Sequence, residues 1–194
     1  MVDILGPPVN SAVFLDRDNT LIANDGDLGD PADVVLLDGV PEGLLRLHQA
    51  GFRIVVITNQ GGVARGQFTE ADVQKVHAEM VKLIQEHSGE KDLIDRFYFC
   101  PFHPLGTQPE YCREHPWRKP SPGMLLQAAE DLDLELTESW MIGDQDRDIE
   151  AGRAAGCRTV LISPEALDSK PHHADASART FLEAVECVLS ATQP

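Results

Sequence analysis

Two carboxylates one residue apart close an apolar run. Ala12-Val13-Phe14-Leu15 leads directly into Asp16-Arg17-Asp18-Asn19-Thr20. A buried strand normally finishes in a turn residue, not in like charges that repel each other. Such a pair is tolerable when a cation sits between the carboxylates. In an open parallel α/β sheet, sites form at the carboxyl ends of strands. This is where a metal and a nucleophile would be expected. The competing reading, a solvated acidic turn, is decided by the rest of the chain.

Three further apolar runs end in polar chemistry. Ile54-Val55-Val56-Ile57 ends in Thr58-Asn59-Gln60-Gly61-Gly62. Phe97-Tyr98-Phe99 is followed, after a long loop, by Arg118-Lys119-Pro120. Trp140-Met141-Ile142 ends in Gly143-Asp144, with Asp146 and Asp148 just beyond. Singly, each has an ordinary explanation: a cap, a solvated basic pair, a turn. Jointly they collect carboxylates, hydroxyl, amide, ammonium and guanidinium at one sheet edge.

The elements that position these groups follow from hydrophobic pattern. The apolar runs, with a fifth at Thr159-Val160-Leu161-Ile162, are short and mostly continuous. That predicts strands buried on both faces of a parallel sheet. Helices are predicted over 41–50, opened by Pro41 and stopped by Gly51, and over about 69–87, capped by Thr69 with Asp72. Others are predicted over about 121–132, 146–155 and 177–190, with 163–176 a surface connection. Alternating strand and helix implies an α/β fold, a Rossmann-like doubly wound parallel sheet of about five strands. The loops 19–38 and 101–120 both follow strands and should hang over the same edge. Loops of that length are usually functional.

Composition bounds the partners. The chain has 194 residues, enough for one domain, expected to span 1–194. Its formal net charge is −16, which argues against nucleic acid, since phosphate-backbone binding needs a basic surface. A small anionic substrate needs only local cations. No run is long enough to span a bilayer, and Met1 to Asn10 shows no signal-peptide pattern. Four unevenly spaced cysteines make no disulfide framework, so a cytoplasmic setting and a monomer are expected.

The ordered set Asp16-Arg17-Asp18-Asn19-Thr20, Thr58, Lys119 and Gly143-Asp144 with Asp148 resembles the four motifs of the haloacid dehalogenase superfamily of phosphatases. Within it the chain looks like the branch that holds heptose 1,7-bisphosphate 7-phosphatases and histidinol-phosphatase domains. That closer likeness rests on Ile57 to Gly66, on Cys100-Pro101-Phe102-His103-Pro104 and on Arg118 to Leu125. Few residues separate the first strand from Pro41, so loops alone should cover the site, with no cap domain. Where the family usually has Gly, this chain has Asn19, the other residue that best tolerates positive φ.

The resemblance implies a mechanism and a ligand set. Magnesium would bind Asp16, the backbone carbonyl of Asp18, and Asp144. Asp16 would be the nucleophile and Asp18 the acid and base. Thr58 and Lys119 would hold the transferring phosphoryl oxygens. Asn59, Gln60, Gly61 and Arg118 would meet substrate. Asn24 and Asp25 would bond sugar hydroxyls. Arg65 would favour a second anionic group, as in a sugar bisphosphate, whereas histidinol phosphate carries an ammonium there.

Cys100-x-x-His103 and Cys112-x-x-His115 could together make a tetrahedral zinc site. Relatives in this branch often carry structural zinc here, but Phe102 and Trp117 stand where two of the usual ligands would be. Either the two histidines substitute, or Phe102, Tyr111 and Trp117 close the loop by packing. For function, a magnesium-dependent sugar phosphatase competes with a histidinol-phosphate phosphatase. From another class comes a phospho-acceptor receiver domain. Asp18 favours the enzyme, because a receiver lacks an acid two residues after its acceptor.

Overall fold

The computed structural model describes residues 10–163 and 173–192. The N-terminal stretch read for a signal peptide, and most of the connection expected at 163–176, lie outside the described residues. The elements in chain order are β1 (Ala12–Leu15), α1 (Val40–Gln49), β2 (Arg53–Asn59), α2 (Glu70–Ser88) and β3 (Arg96–Cys100). Then follow α3 (Gly123–Leu132), β4 (Trp140–Gly143), α4 (Asp146–Ala155), β5 (Arg158–Ile162), β6 (Ala176–Ala178) and α5 (Phe181–Ala191).

The strands form one parallel sheet in the order β3-β2-β1-β4-β5-β6. Strand order reverses between β1 and β4, so their carboxyl ends open a crevice. The sheet has six strands where about five were expected. The extra one, Ala176-Ser177-Ala178, pairs with β5 through Val160, Leu161 and Ile162. Three small residues carry no apolar run, so period alone did not reveal it. The last helix accordingly starts at Phe181, with Thr180 accepting from the Glu183 amide as its cap.

Alternation along each strand feeds two cores. Val13, Leu15, Ile54, Val56, Ile142 and Val160 face α1, α2 and α5. Ala12, Phe14, Val55, Ile57 and Met141 face α3 and α4. Every residue of β1 is fully buried, as a central parallel strand requires. Helix α2 starts as its sequence indicates: Thr69 and Asp72 form a reciprocal capping box. Between β1 and α1 lie only loop, isolated bridges and one 3-10 turn, Pro31–Asp33. No cap domain interrupts the chain there.

Candidate active site

β1 and β4 present Asp16 and Asp144 side by side. The Asp16 amide donates to the Ile142 carbonyl at 3.0 Å, which continues the ladder one residue past β1. Asp16 is buried, and with Asp144 and Asp148 it forms a group whose carboxylate oxygens lie within 4.8 Å of one another. Among the described residues no other His, Cys, Asp and Glu group of three or more converges so closely.

Lys119 enters this group from the other wall. Its buried ammonium lies 2.8 Å from Asp16 Oδ1 and 2.7 Å from Asp148 Oδ1, and donates to the Ile57 carbonyl at 2.9 Å. Asn59 fixes the lysine's backbone: its side-chain amide donates to the Lys119 carbonyl, and its side-chain oxygen accepts from the Lys119 amide, both at 3.0 Å. Asp148 also accepts from the Gln145 amide at 3.0 Å, closing the first turn of α4. A Cβ on Gly143 would lie 2.4 Å from Asp148 Cβ, so only glycine lets this aspartate fold back against the end of β4.

Electrostatics make the group strained without a cation. Burial raises the Asp16 pKa to about 6 despite Lys119, with Asp148 and Asp18 adding repulsion. Burial likewise pushes Asp144 up, and Asp16 adds to it. Asp144 Oδ1 is buried with no hydrogen-bond partner, while its other oxygen accepts from the Gln145 side chain at 2.8 Å. Three carboxylates against one ammonium leave two negative charges unmatched. Hard oxygen donors with that imbalance suit one divalent magnesium.

Asp18 sits differently. It is half-buried at the cavity and held by three donors. Arg17 forks onto it, Nη2 at 2.8 Å and Nε at 3.1 Å from Oδ1. Asn24 Nδ2 donates to Oδ1 at 2.8 Å, and Gln60 Nε2 donates to Oδ2 at 2.9 Å. Gln60 also donates to the hydroxyl of buried Thr58 at 2.9 Å, linking the two. The turn that permits this has Asn19 at φ 57°, as its type suggested. Asn19 Oδ1 then accepts from the Asn24 amide at 3.0 Å.

The cavity above has a volume of about 510 Å³, within the range of small-molecule sites. Asp18, Asn24, Asp25, Asn59, Gln60, Gly61, Arg65, Arg118 and Asp144 all line it, as the sequence placed them. Their uses differ from the sequence-level expectation. Asn24, Asn59 and Gln60 have their amides engaged with Asp18, Lys119 and Thr58, so they position those residues. Asp25 is exposed and keeps its expected place at the wall. Arg65 is forked onto Asp27, at 2.5 Å and 3.2 Å, which joins the two loops across the cavity mouth. A Cβ on Gly61 would lie 3.1 Å from both Arg65 Nη1 and His103 Cδ2, so glycine lets these side chains converge.

The four residues expected to share zinc do not converge. Cys100 Sγ contacts the Phe102 carbonyl and Cys112 Sγ the Pro104 carbonyl. His103 Nδ1 accepts from the Leu105 amide, and its ring lines the catalytic cavity. His115 Nδ1 accepts from the Trp117 amide. The reason is Phe102. Its ring stacks on His115 at 4.2 Å, lies 5.7 Å from Tyr111 and carries the Arg113 guanidinium. Aromatic packing closes this loop instead.

Sequence reasoning passed over Arg17, His77, Asp27 and Arg147. Arg17 lies between two aspartates in sequence, and its side chain is fully buried. Beside it, burial lowers the His77 pKa to about 3, and the Arg17 charge adds to that.

Comparison with known proteins agrees with this geometry. Residues 116–184 match the HAD-hydrolase-like family model. The D-glycero-beta-D-manno-heptose-1,7-bisphosphate 7-phosphatase of Escherichia coli K12 is 36% identical over 152 residues, 78% of each chain. The D-glycero-D-manno-heptose-1,7-bisphosphate 7-phosphatase of Chlorobaculum tepidum is 40% identical over 156 residues, 77% of each. Among solved structures, a D,D-heptose 1,7-bisphosphate phosphatase from B. bronchiseptica complexed with magnesium and phosphate superposes with a TM-score of 0.79 at 27% identity. That match covers 93% of this chain and 99% of the other. With its motifs at the ends of β1, β2 and β4 and before α3, this chain belongs to the haloacid dehalogenase-like hydrolases, in the group that includes these phosphatases.

Proposed function

We propose that this chain removes the 7-phosphate of D-glycero-D-manno-heptose 1,7-bisphosphate through an aspartyl phosphate on Asp16. The observation that carries the reading is the buried Lys119 ammonium shared by Asp16 and Asp148 beside the unpartnered oxygen of Asp144. Asp16, Asp144 and the backbone of Asp18 would hold magnesium, which neutralises charge on the phosphoryl group and keeps Asp16 ionised.

The protein's own residues do the rest. An Asp16 oxygen bonds to phosphorus as the bond to the sugar oxygen breaks, and Asp18 gives that oxygen its proton. Water then attacks the phosphorus, its proton goes to Asp18, and the Asp16–phosphorus bond breaks. The products are inorganic phosphate and a sugar monophosphate. Lys119 meets the phosphoryl oxygens from the Asp16 side, and Thr58 does so from the end of β2. Gln60, Asn24 and Arg17 hold the Asp18 carboxylate towards the cavity. Arg118 faces the substrate from the loop before α3.

A bisphosphate fits the cations at the mouth better than histidinol phosphate does, because an ammonium would be repelled there. The curated relatives support the sugar. The whole chain, 1–194, is read as one domain, a cytoplasmic monomer. Among the described residues no helix is long and apolar enough to cross a membrane. The test is a hydrolysis panel of sugar bisphosphates, sugar monophosphates and histidinol phosphate with magnesium. Heptose bisphosphate should give the highest kcat/KM, and Asp16→Asn should lose several orders of magnitude. Asp18→Asn should bind substrate and turn over very slowly. Activity of Asp16→Asn within about tenfold of wild type would refute the nucleophile, since such a loss is too small for a covalent role.

A further inference from the structure

The cavity holds a cation that no ion pair engages among the described residues. Arg147 is exposed and lines the cavity together with Arg118, Asp18 and Asp144. Among the described residues its side chain makes no hydrogen bond and no ion pair. It is the second residue of α4, whose N-cap is Gln145. The N-terminus of a helix carries positive partial charge, so acidic residues are favoured there and cations are not. Asp146 and Asp148, in the same turn, follow that rule. Arg147 breaks it, and its charge is felt by Asp144 at the cavity floor without an ion pair forming, the pattern expected of a residue kept for function.

Its neighbours sharpen the point. The Arg118 guanidinium is half-buried and donates to a neutral acceptor, the Phe102 carbonyl, at 3.3 Å. Burial lowers its pKa, and the charges of Arg147 and Arg65 both add to that. Three guanidinium groups thus surround one cavity. Of the carboxylates around them, Asp27 pairs with Arg65. No carboxylate forms an ion pair with Arg118 or Arg147 among the described residues. Two cations that line the same cavity without an ion pair, beside the phosphoryl-transfer site, make a place for an anion.

We propose that Arg147 and Arg118 together bind the second phosphate of the bisphosphate substrate, with Arg65 retained by Asp27 as the brace of the cavity mouth. This rests on the sugar-bisphosphate reading above. Arg147 then sets specificity from the β4 side of the crevice and Arg118 from the loop before α3, so the distal phosphate is gripped between two independent elements.

The test compares kcat/KM for heptose 1,7-bisphosphate and for the matching 7-monophosphate in wild type, Arg147→Gln, Arg147→Lys and Arg147→Glu. A charge-assisted contact at an exposed site is worth about tenfold, so Arg147→Gln should lower the bisphosphate-to-monophosphate ratio by about that factor. The loss should appear in KM for the bisphosphate. Arg147→Lys should recover part of it, and Arg147→Glu should fall further. A ratio unchanged in Arg147→Gln overturns the inference, as does an equal loss on both substrates. If wild type itself shows no preference for the bisphosphate, the sugar-bisphosphate reading falls and takes this inference with it. The first two results touch only Arg147, because wild type would still prefer the bisphosphate.

Discussion

Acidification should destabilise this protein through one buried imidazole. His77 lies on α2 with its ring stacked on Phe97 at a centroid distance of 4.4 Å and edge-on to Phe99 at 6.1 Å. Its Nε2 is buried without a hydrogen-bond partner. Burial, then the Arg17 charge, lower its pKa from 6.5 to about 3. The folded value lies below the unfolded one, so between these limits the unfolded chain binds more protons. Stability is therefore fully present above about pH 6.5 and is lost as pH falls towards about 3. From pH 7 to pH 5 the loss integrates to about 2 kcal/mol, and its limit below pH 3 is about 4–5 kcal/mol. The perturbation is His77→Phe, which keeps an aromatic ring against Phe97 and cannot titrate. Urea unfolding at pH 7 and pH 5 gives the free energies. Carboxylates shift both proteins alike, so the difference between the two pH-dependent losses isolates His77. It should be about 2 kcal/mol, with the variant losing less. Equal losses in the two proteins would show that His77 ionises normally in the fold, and the argument from burial would fail.

Gly143→Ala should displace Asp148 from Lys119 and cost about 1–3 kcal/mol by overpacking. Urea unfolding measures the cost, and kcat should fall with it, whereas wild-type kinetics would show that Lys119 does not depend on Asp148. Protein purified without added metal or chelator should carry substoichiometric zinc by elemental analysis. Cys112→Ser should change stability by no more than about 0.5 kcal/mol, as expected of an ordinary surface substitution. Added magnesium should raise the Tm, by about 2.7 kcal/mol of stability at a hundred times its Kd. Asp144→Asn should blunt that rise, and an undiminished rise would place the ion elsewhere.

The framework was legible because its signals are local. Continuous apolar runs marked the buried strands, and Thr69 with Asp72 marked the start of α2. Asn19 stood where positive φ was needed and has it. The polar strand ends gave Asp16, Asp144 and Lys119 their shared edge. What escaped reading depends on geometry beyond sequence spacing. The turn after β1 folds Arg17 and Asp18 together, although neighbours on an extended strand would point apart. The two Cys-x-x-His pairs share one spacing along the chain, but Phe102 stacks on His115 and each of the four side chains finds a separate partner. Arg147 carries no signal in the sequence, and only the cavity shows what it faces. For Asn59 and Gln60 the family resemblance implied contact with substrate. The structure instead spends their amides on Lys119 and Thr58.

The same comparison explains why so many groups around the site bind each other. Asp16, Asp144 and Asp148 would repel if left alone, and one lysine cannot balance three carboxylates. The fold therefore fixes the lysine first, through Asn59 at its backbone and Ile57 at its ammonium. It then spends Asp148 on that lysine and on the start of α4. Asp16 and Asp144 are left with oxygens turned to one place and a net deficit that only a divalent cation matches. Asp18 adds some repulsion to Asp16 but has a cation of its own in Arg17. Two aspartates one residue apart thus acquire different partners, and with them different chemistry. In the proposed mechanism the one beside the lysine attacks, and the one held by neutral amides and a buried guanidinium moves the proton.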